Sequence, residues 1–375
     1  MAELLKHQLN LQSAEELAQQ IQKEWTDFNS EAFLALVAEN FENLELMQRG
    51  AQIARVLRQY LPDNTEQALS ILRTSMGVTL GQNHGYGKAP FFYLPHSFFI
   101  SEYGLPYFDA AMQTQYELTQ RFTAEFCIRP FLRHYPEQTM SKLDEWVKDK
   151  NEHVRRLVSE GTRPRLPWAS RLPAFQKDPQ PVIQLLDILK DDPVLYVRRS
   201  VANNLNDISK DHPQLVVDLM ENWQKDASVQ RQWLIRHALR SLIKQGHQGA
   251  LAVLGYVQDI QIAIENPQIT PRQANLGEEV KVSFDLVSRS SQTQPLMIDF
   301  CVYFMKSNGT QNGEVFKLKS LQLGPGEKIH LAKKVSLKAM TTRTLYAGCH
   351  RVEALINGTA HKLGYFDLQL NQKQV

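Results

Sequence analysis

The triplet Val-Arg-Arg stands at 154–156 and again at 197–199, inside NEHVRRLVSEG and VLYVRRSVANN, 43 residues apart. A shift of 37 lays VRRSVANNL (197–205) on LIRHALRSL (234–242). A backward shift of 35 lays RLVSEG (156–161) on RFTAEF (121–126). A unit of this size cannot bury its apolar side alone, so successive units must stack. AEELAQQIQKEW, LALVAENFENLELMQRGAQIARVLRQYL and VVDLMENW repeat apolar residues three and four apart, the spacing of amphipathic helices. Residues from about 10 to 262 therefore read as an all-α repeat solenoid.

The period is that of HEAT-like repeats. Residues 76–108 read as a long Gly/Pro/aromatic connection. Within it GQNHGYGK (81–88) misses the GxxxxGK[ST] spacing of a phosphate loop, because position 82 is Gln and Lys88 is followed by Ala; it reads as structural. After Pro267 the period becomes two. VKVSFDL, IDFCVYF, KIHLAKKVSL, HRVEALI and KLGYFDLQL alternate as strands. Asn-Gly pairs at 308–309 and 357–358 and GPGE at 324–327 predict turns. About seven short strands fit an all-β sandwich. No tryptophan follows Pro267, so an immunoglobulin-like sandwich without the antibody-type core is expected. The fold class is a HEAT-like solenoid (1–262) followed by an immunoglobulin-like sandwich (263–375).

The net charge is only +2, but it is uneven. Residues 266–375 hold 14 Lys+Arg against 8 Asp+Glu, and 121–247 hold 21 against 16. Two basic regions suggest a polyanion partner. No apolar stretch of signal-peptide or membrane-spanning type is seen, so a cytoplasmic protein with no membrane partner is expected. Cys127, Cys301 and Cys349 form no CxxC and read as buried, reduced thiols. GCHR (348–351) has no further ligands at metal spacing, so neither metal nor cofactor is expected.

Aligning the repeats exposes a polar column. Read as helix faces four residues apart, it carries Arg121, Glu125, Arg129; Arg156, Glu160, Pro164; Arg199, Asn203, Asp207; and Arg236, Arg240, Lys244. Val197, Val201, Leu205, Leu234, Ala238 and Leu242 beside it would form the core. A salt-bridged solvated face is the alternative reading. Arginines in a groove gain phosphate affinity through counterion release. A carboxylate there opposes binding by roughly 3 kcal/mol for a unit pair at about 6 Å and an effective dielectric of 20. Acids in such a groove suit a developing cation or an activated water, as glycosidic cleavage requires.

SEGTRPRLPWASRLP (159–173) interrupts the helices with three prolines, three arginines and a tryptophan. Together with ELTQRFTAEFCIRPFL (117–132) and LYVRRSVANNLNDISKDHP (195–213), it resembles the AlkC branch of the AlkC/AlkD alkylpurine DNA glycosylases. The sandwich is similar to the immunoglobulin-like domain that some of that branch append. The resemblance implies a monofunctional, monomeric bacterial base-excision enzyme, nucleoid-associated when bound to double-stranded DNA. It would hydrolyse cationic bases such as 3-methyladenine, and 3-methylcytosine in this branch, without flipping the nucleotide. It implies Glu125, Glu160, Trp168 and Asp207 as site residues. Asp207 and Glu160 would stabilise the sugar cation and orient water, Glu125 would support them, and Trp168 would pack on the lesion. Gly161 and Pro164 would end the helix before it. Arg163, Arg165 and Arg171 would meet phosphates, joined by Arg156, Arg198, Arg199, Arg236, Arg240 and Lys244. The sandwich would clamp the DNA, through turns around Asn308-Gly309 or Gly348 to Arg351. The rival readings are a non-catalytic HEAT-repeat DNA binder and a protein-interaction scaffold.

Overall fold

The structure is a computed structural model that describes residues 5–80, 91–339 and 343–370; GQNHGYGK lies outside them. By packing, the chain forms two compact units, Met1–His212 with Asp226–Ala238, and Pro213–Lys225 with Leu239–Val375. The change of period predicts a single boundary at 262/263. Packing instead groups the last helices, save one, with the sandwich.

The first unit contains α1 (Leu11–Glu24), α2 (Ser30–Ala38), α3 (Leu46–Tyr60), α4 (Thr65–Thr74), α5 (Leu94–Tyr103), α6 (Phe108–Thr119), α7 (Ile128–His134), α8 (Pro136–Trp146), α9 (Glu152–Gly161), α10 (Pro173–Lys177), α11 (Gln180–Leu189) and α12 (Leu195–Ile208). The chain then runs through α13 (Pro213–Gln224), which packs in the second unit, and α14 (Val229–Ala238), which packs in the first. No helix among the described residues is long and apolar enough to cross a membrane.

The expected connection over 76–108 contains α5. That helix buries Leu94, Pro95, His96, Ser97, Phe99 and Ile100. Polar His96 and Ser97 are buried among its apolar residues, so it shows no period for a sequence reading to find. Its His96 is 1% exposed, and neither ring nitrogen has a hydrogen-bond partner among the described residues. Burial pushes its pKa down to about 3. The unfolded chain binds a proton there below about pH 6.5, whereas the fold does not until near pH 3. Its contribution is therefore complete above pH 6.5 and declines as pH falls. At pH 5.5 the loss is about 1.4 kcal/mol. Urea midpoints at pH 7.5 and 5.5 are expected to fall further for the wild type than for His96→Phe by that amount; equal falls would refute it.

The second unit adds α15 (Arg240–Lys244) and α16 (Gln248–Val253) and eight strands: β1 (Ile262–Thr270), β2 (Gln273–Asn275), β3 (Glu279–Ser288), β4 (Gln294–Met305), β5 (Gln311–Leu323), β6 (Lys328–Ser336), β7 (Gly348–Ile356) and β8 (Thr359–Gln369). One sheet runs β1-β3-β6 and the other β2-β8-β7-β4-β5. Among the described strands only the β2–β8 pairing is parallel. Val282, Phe284 and Leu286 of β3 and Ile298, Phe300 and Val302 of β4 supply much of the core between them. β1 begins before Pro267, where the alternating pattern is broken. Pro267 sits where the register between Glu265 and Gln268 slips. An edge strand tolerates proline at such a point because no ladder donor is needed there.

The Asn357-Gly358 turn joins β7 to β8, with positive φ of 46° and 80°. Asn357 does more than turn the chain. It is fully buried, accepts from Met297 N at 2.8 Å, and donates to Val257 O at 2.8 Å and Pro295 O at 3.1 Å. Asn357→Ala is expected to cost about 2–4 kcal/mol, since buried backbone groups lose their partners. Denaturant unfolding reads this directly, and a loss under about 1 kcal/mol would show that the turn stands without the side chain. His350 of GCHR is also a core residue. It stacks on Phe366 with 5.0 Å between centroids, and its nitrogens meet Met305 N and Tyr346 O. Cys127 and Cys301 are buried as expected, but Cys349 is exposed.

Candidate active site

Helix α9 starts where the Asn151 side chain accepts from His153 N at 2.8 Å. It packs against α6, α8, α11 and α12, so nine of its ten residues are buried, polar ones included. Small polar residues set its approach to α12. Ser159 Oγ donates to Ser200 Oγ at 2.7 Å, and Asn204 Nδ2 donates to Ser159 O at 2.7 Å and Thr162 Oγ1 at 3.0 Å. A buried polar ladder of this kind favours one register between two helices, although Asn204 Oδ1 has no partner among the described residues. That register brings Glu160 of α9 and Asp207 of α12 onto one arginine.

Arg163 donates from Nη1 to Glu160 Oε1 at 2.7 Å and from Nε to Asp207 Oδ2 at 2.8 Å. Glu160 Oε2 accepts from Ser200 Oγ at 2.5 Å, and its Oε1 faces Arg156 Nη2 at 3.3 Å. Asp207 Oδ1 pairs with Lys210 Nζ at 2.9 Å. Glu125 is held by the Thr123 hydroxyl at 2.9 Å and by Arg156 Nη1. Glu125, Glu160 and Asp207 are 4%, 5% and 2% exposed. Burial opposes ionisation of Glu160, but Arg156, Arg163 and the Ser200 hydroxyl outweigh it and hold its carboxyl below the ordinary value. Burial likewise opposes the charge on Arg163, and Glu160 and Asp207 outweigh it and raise its pKa. The cluster is a set of buried charges compensated within itself.

The column reading is corrected at two places. Arg121 and Glu125 do not lie on a helix: α6 ends at Thr119 and α7 begins at Ile128. Arg121 pairs with Glu117 at 2.7 Å, and Arg156 brings Glu125 to the site. Arg240 and Lys244 lie on α15, in the second unit. Arg156, Arg163 and Arg198, expected at phosphates, are buried. Arg198 Nη1 donates to Asp192 O at 2.5 Å. Arg165 is taken up by Asp211, Nη2 to Oδ1 at 2.5 Å. In the first unit Arg171, Arg199 and Arg236 remain on the surface, as does Lys244 in the second.

The segment after α9 is pinned from inside. Leu166 and Leu172 are buried, while Trp168 between them is 66% exposed. Trp168 has φ of 62°, a left-handed conformation that costs a non-glycine residue about 1–3 kcal/mol. Such strain persists only where the surroundings impose it. Arg129 on α7 supplies the clamp, donating to Gly161 O at 3.0 Å, Arg163 O at 2.9 Å, and Ser170 O at 2.9 and 2.6 Å. Gly161 is the last residue of α9, with no positive φ. Its role is close approach, since a Cβ there would meet Ile128 Cγ2 at 2.8 Å.

Thr123, Arg129 as a clamp, Ser200 and Lys210 were not legible in the sequence reading. Only Lys210 had a local signal, three residues after Asp207.

A family profile described as DNA alkylation repair enzyme matches residues 120–242, and one described as the C-terminal Ig-like domain of uncharacterised protein YhaZ matches 263–370. Bacillus subtilis (strain 168) YhaZ, an uncharacterized protein, is 35% identical over 355 residues, covering 94% of this chain and 96% of that one. The structure of Pseudomonas fluorescens alkylpurine DNA glycosylase AlkC, bound to DNA containing an abasic site analog, superposes with a TM-score of 0.88 and 37% identity. That match covers 98% of this chain and 100% of the other.

Proposed function

This chain belongs to the AlkC family of alkylpurine DNA glycosylases, among the DNA alkylation repair enzymes, and we propose on that footing that it hydrolyses the N-glycosidic bond of cationic alkylated bases in double-stranded DNA. The proposed substrates are 3-methyladenine and 3-methylcytosine. Each carries a positive charge in the intact nucleotide, so the base leaves as a neutral molecule and needs little protonation. The bond to C1′ breaks with its electron pair going to the base. Water then adds to C1′ and gives up a proton.

The observation that carries this reading is the buried pair Glu160 and Asp207, presented from neighbouring helices beside the strained loop of Trp168. Two anionic groups fixed in a low-dielectric site stabilise the oxocarbenium-like transition state without reorganising. Asp207 and Glu160 orient the water. Glu125 acts through Arg156, which it holds. Trp168 packs its face on the deoxyribose or the cationic base, an attraction of about 1–2 kcal/mol when desolvated. The nucleotide is engaged within the duplex by a monomer, and the exposed arginines and the basic sandwich hold the backbone without reading sequence.

The purified protein is expected to release 3-methyladenine and 3-methylcytosine from methylated duplex and to leave abasic strands uncut. DNA binding without release of any methylated base would replace this reading with a non-catalytic binder.

A further inference from the structure

We propose that Arg163 is a specificity-determining residue: its guanidinium occupies, in the free protein, the place a cationic nucleotide takes, and only a ligand carrying positive charge can replace it. This deepens the reading above and rests on it.

Three observations carry the inference. Both described side-chain contacts of Arg163 are to the carboxylates of Glu160 and Asp207, one from each helix. Next, the charges balance. Glu125, Glu160 and Asp207 face Arg156, Arg163 and Lys210, so the six ion-paired groups sum to zero among themselves. The Arg129 cation adds a further positive charge nearby, directed to carbonyls rather than to the carboxylates. A nucleotide cation approaching this cluster gains little while every guanidinium stays. It gains a full ion pair once Arg163 leaves. Finally, the backbone permits the exchange. Arg163 follows the end of α9, and its carbonyl is fixed by Arg129 at 2.9 Å. The side chain can therefore swing out by rotamer change with the helix and loop in place. Its flat, delocalised cation resembles an N-alkylated base in shape and charge.

The consequence is discrimination by charge. A neutral nucleotide that displaced Arg163 would remove a shared cation from two buried carboxylates, leaving Glu160 to Arg156 and Asp207 to Lys210 alone, which is unfavourable. A cationic one restores the balance. The displaced guanidinium is then free to meet a phosphate.

The test uses the full chain and two duplexes. One carries a pyrrolidine abasic analogue, protonated at neutral pH; the other carries the neutral tetrahydrofuran analogue. Arg163→Met vacates the place in advance. Its preference for the cationic duplex over the neutral one is expected to exceed the wild-type preference about tenfold, with the neutral affinity changed less than about threefold. Arg163→Lys cannot bridge both carboxylates but keeps a cation beside them, so it is the variant to use where the methionine variant does not fold. It is expected to raise the same ratio about threefold. An unchanged or lowered ratio in a folded variant would overturn the proposal and leave the glycosylase reading standing. Failure of the wild type to bind either duplex would overturn both.

Discussion

Asp207→Asn is expected to lower the rate of base release between about a hundredfold and a thousandfold, with duplex affinity within about threefold of wild type. The substitution keeps the shape of the side chain, although its one amide oxygen can accept from only one of Arg163 and Lys210, each of which holds a carboxylate oxygen in the wild type, at 2.8 and 2.9 Å. It removes one unit of negative charge from a group only 2% exposed. Fixed charges in such sites are worth about 3–4 kcal/mol to a transition state of opposite sign. Glu160→Gln is expected to act in the same direction. The two effects will not add, because both carboxylates share Arg163. Single-turnover release from methylated duplex separates chemistry from binding. A rate within about fivefold of wild type would show that Asp207 is a structural ion-pair partner.

Arg129→Lys is expected to destabilise the first unit by about 2–4 kcal/mol, although charge is conserved. The guanidinium spans three carbonyls with a flat fork of donors. An ammonium is a point donor that cannot reach Gly161, Arg163 and Ser170 together. The Gly161 and Arg163 carbonyls are left unpaired in a buried setting, where each costs about 1–3 kcal/mol, while the Ser170 carbonyl, on an exposed residue, can turn to water. Burial already pushes the Arg129 pKa down to about 10, so the group remains charged at neutral pH and the carbonyls face a cation. Two readouts are expected to move together. The urea midpoint falls, and trypsin cuts sooner after Arg165 or Arg171 in the loop. Base release falls about tenfold as Trp168 loses its fixed position. Unchanged proteolysis with unchanged stability would refute the clamp.

The architecture was legible because periodicity reports it. The Val-Arg-Arg repeat placed α9 and α12 side by side, and Val197, Val201 and Leu205 are buried as the pattern requires. The alternating strands gave the sandwich, and Asn357-Gly358 makes the turn its chemistry favours. The departures arise where local pattern and structure part. Extending the column to Arg121 and Glu125 assumed that equal spacing means equal structure, but those residues fall between α6 and α7. Helix α5 was hidden because its buried residues, His96 and Ser97 among them, follow no apolar period, and β1 because Pro267 breaks its alternation.

Glu125, Glu160, Trp168 and Asp207 are the site residues that the family resemblance of the surrounding motifs implies, and the fold buries the three carboxylates and exposes the tryptophan. Their electrostatic state was not legible in the chain. The sequence counts charges but does not pair them. It reads Arg156, Arg163 and Arg198 as cations for phosphates, whereas the fold buries all three. Local spacing extends only to neighbours three or four residues away on a helix. The contacts that define the site join residues 31 to 44 apart: Glu125 to Arg156, Glu160 to Ser200, Arg163 to Asp207. Covalent order thus determined which helices and strands form and which residue types reach the site. Tertiary packing alone decided which cation neutralises which carboxylate, because that depends on the register of α9 against α12 and on a loop held from α7.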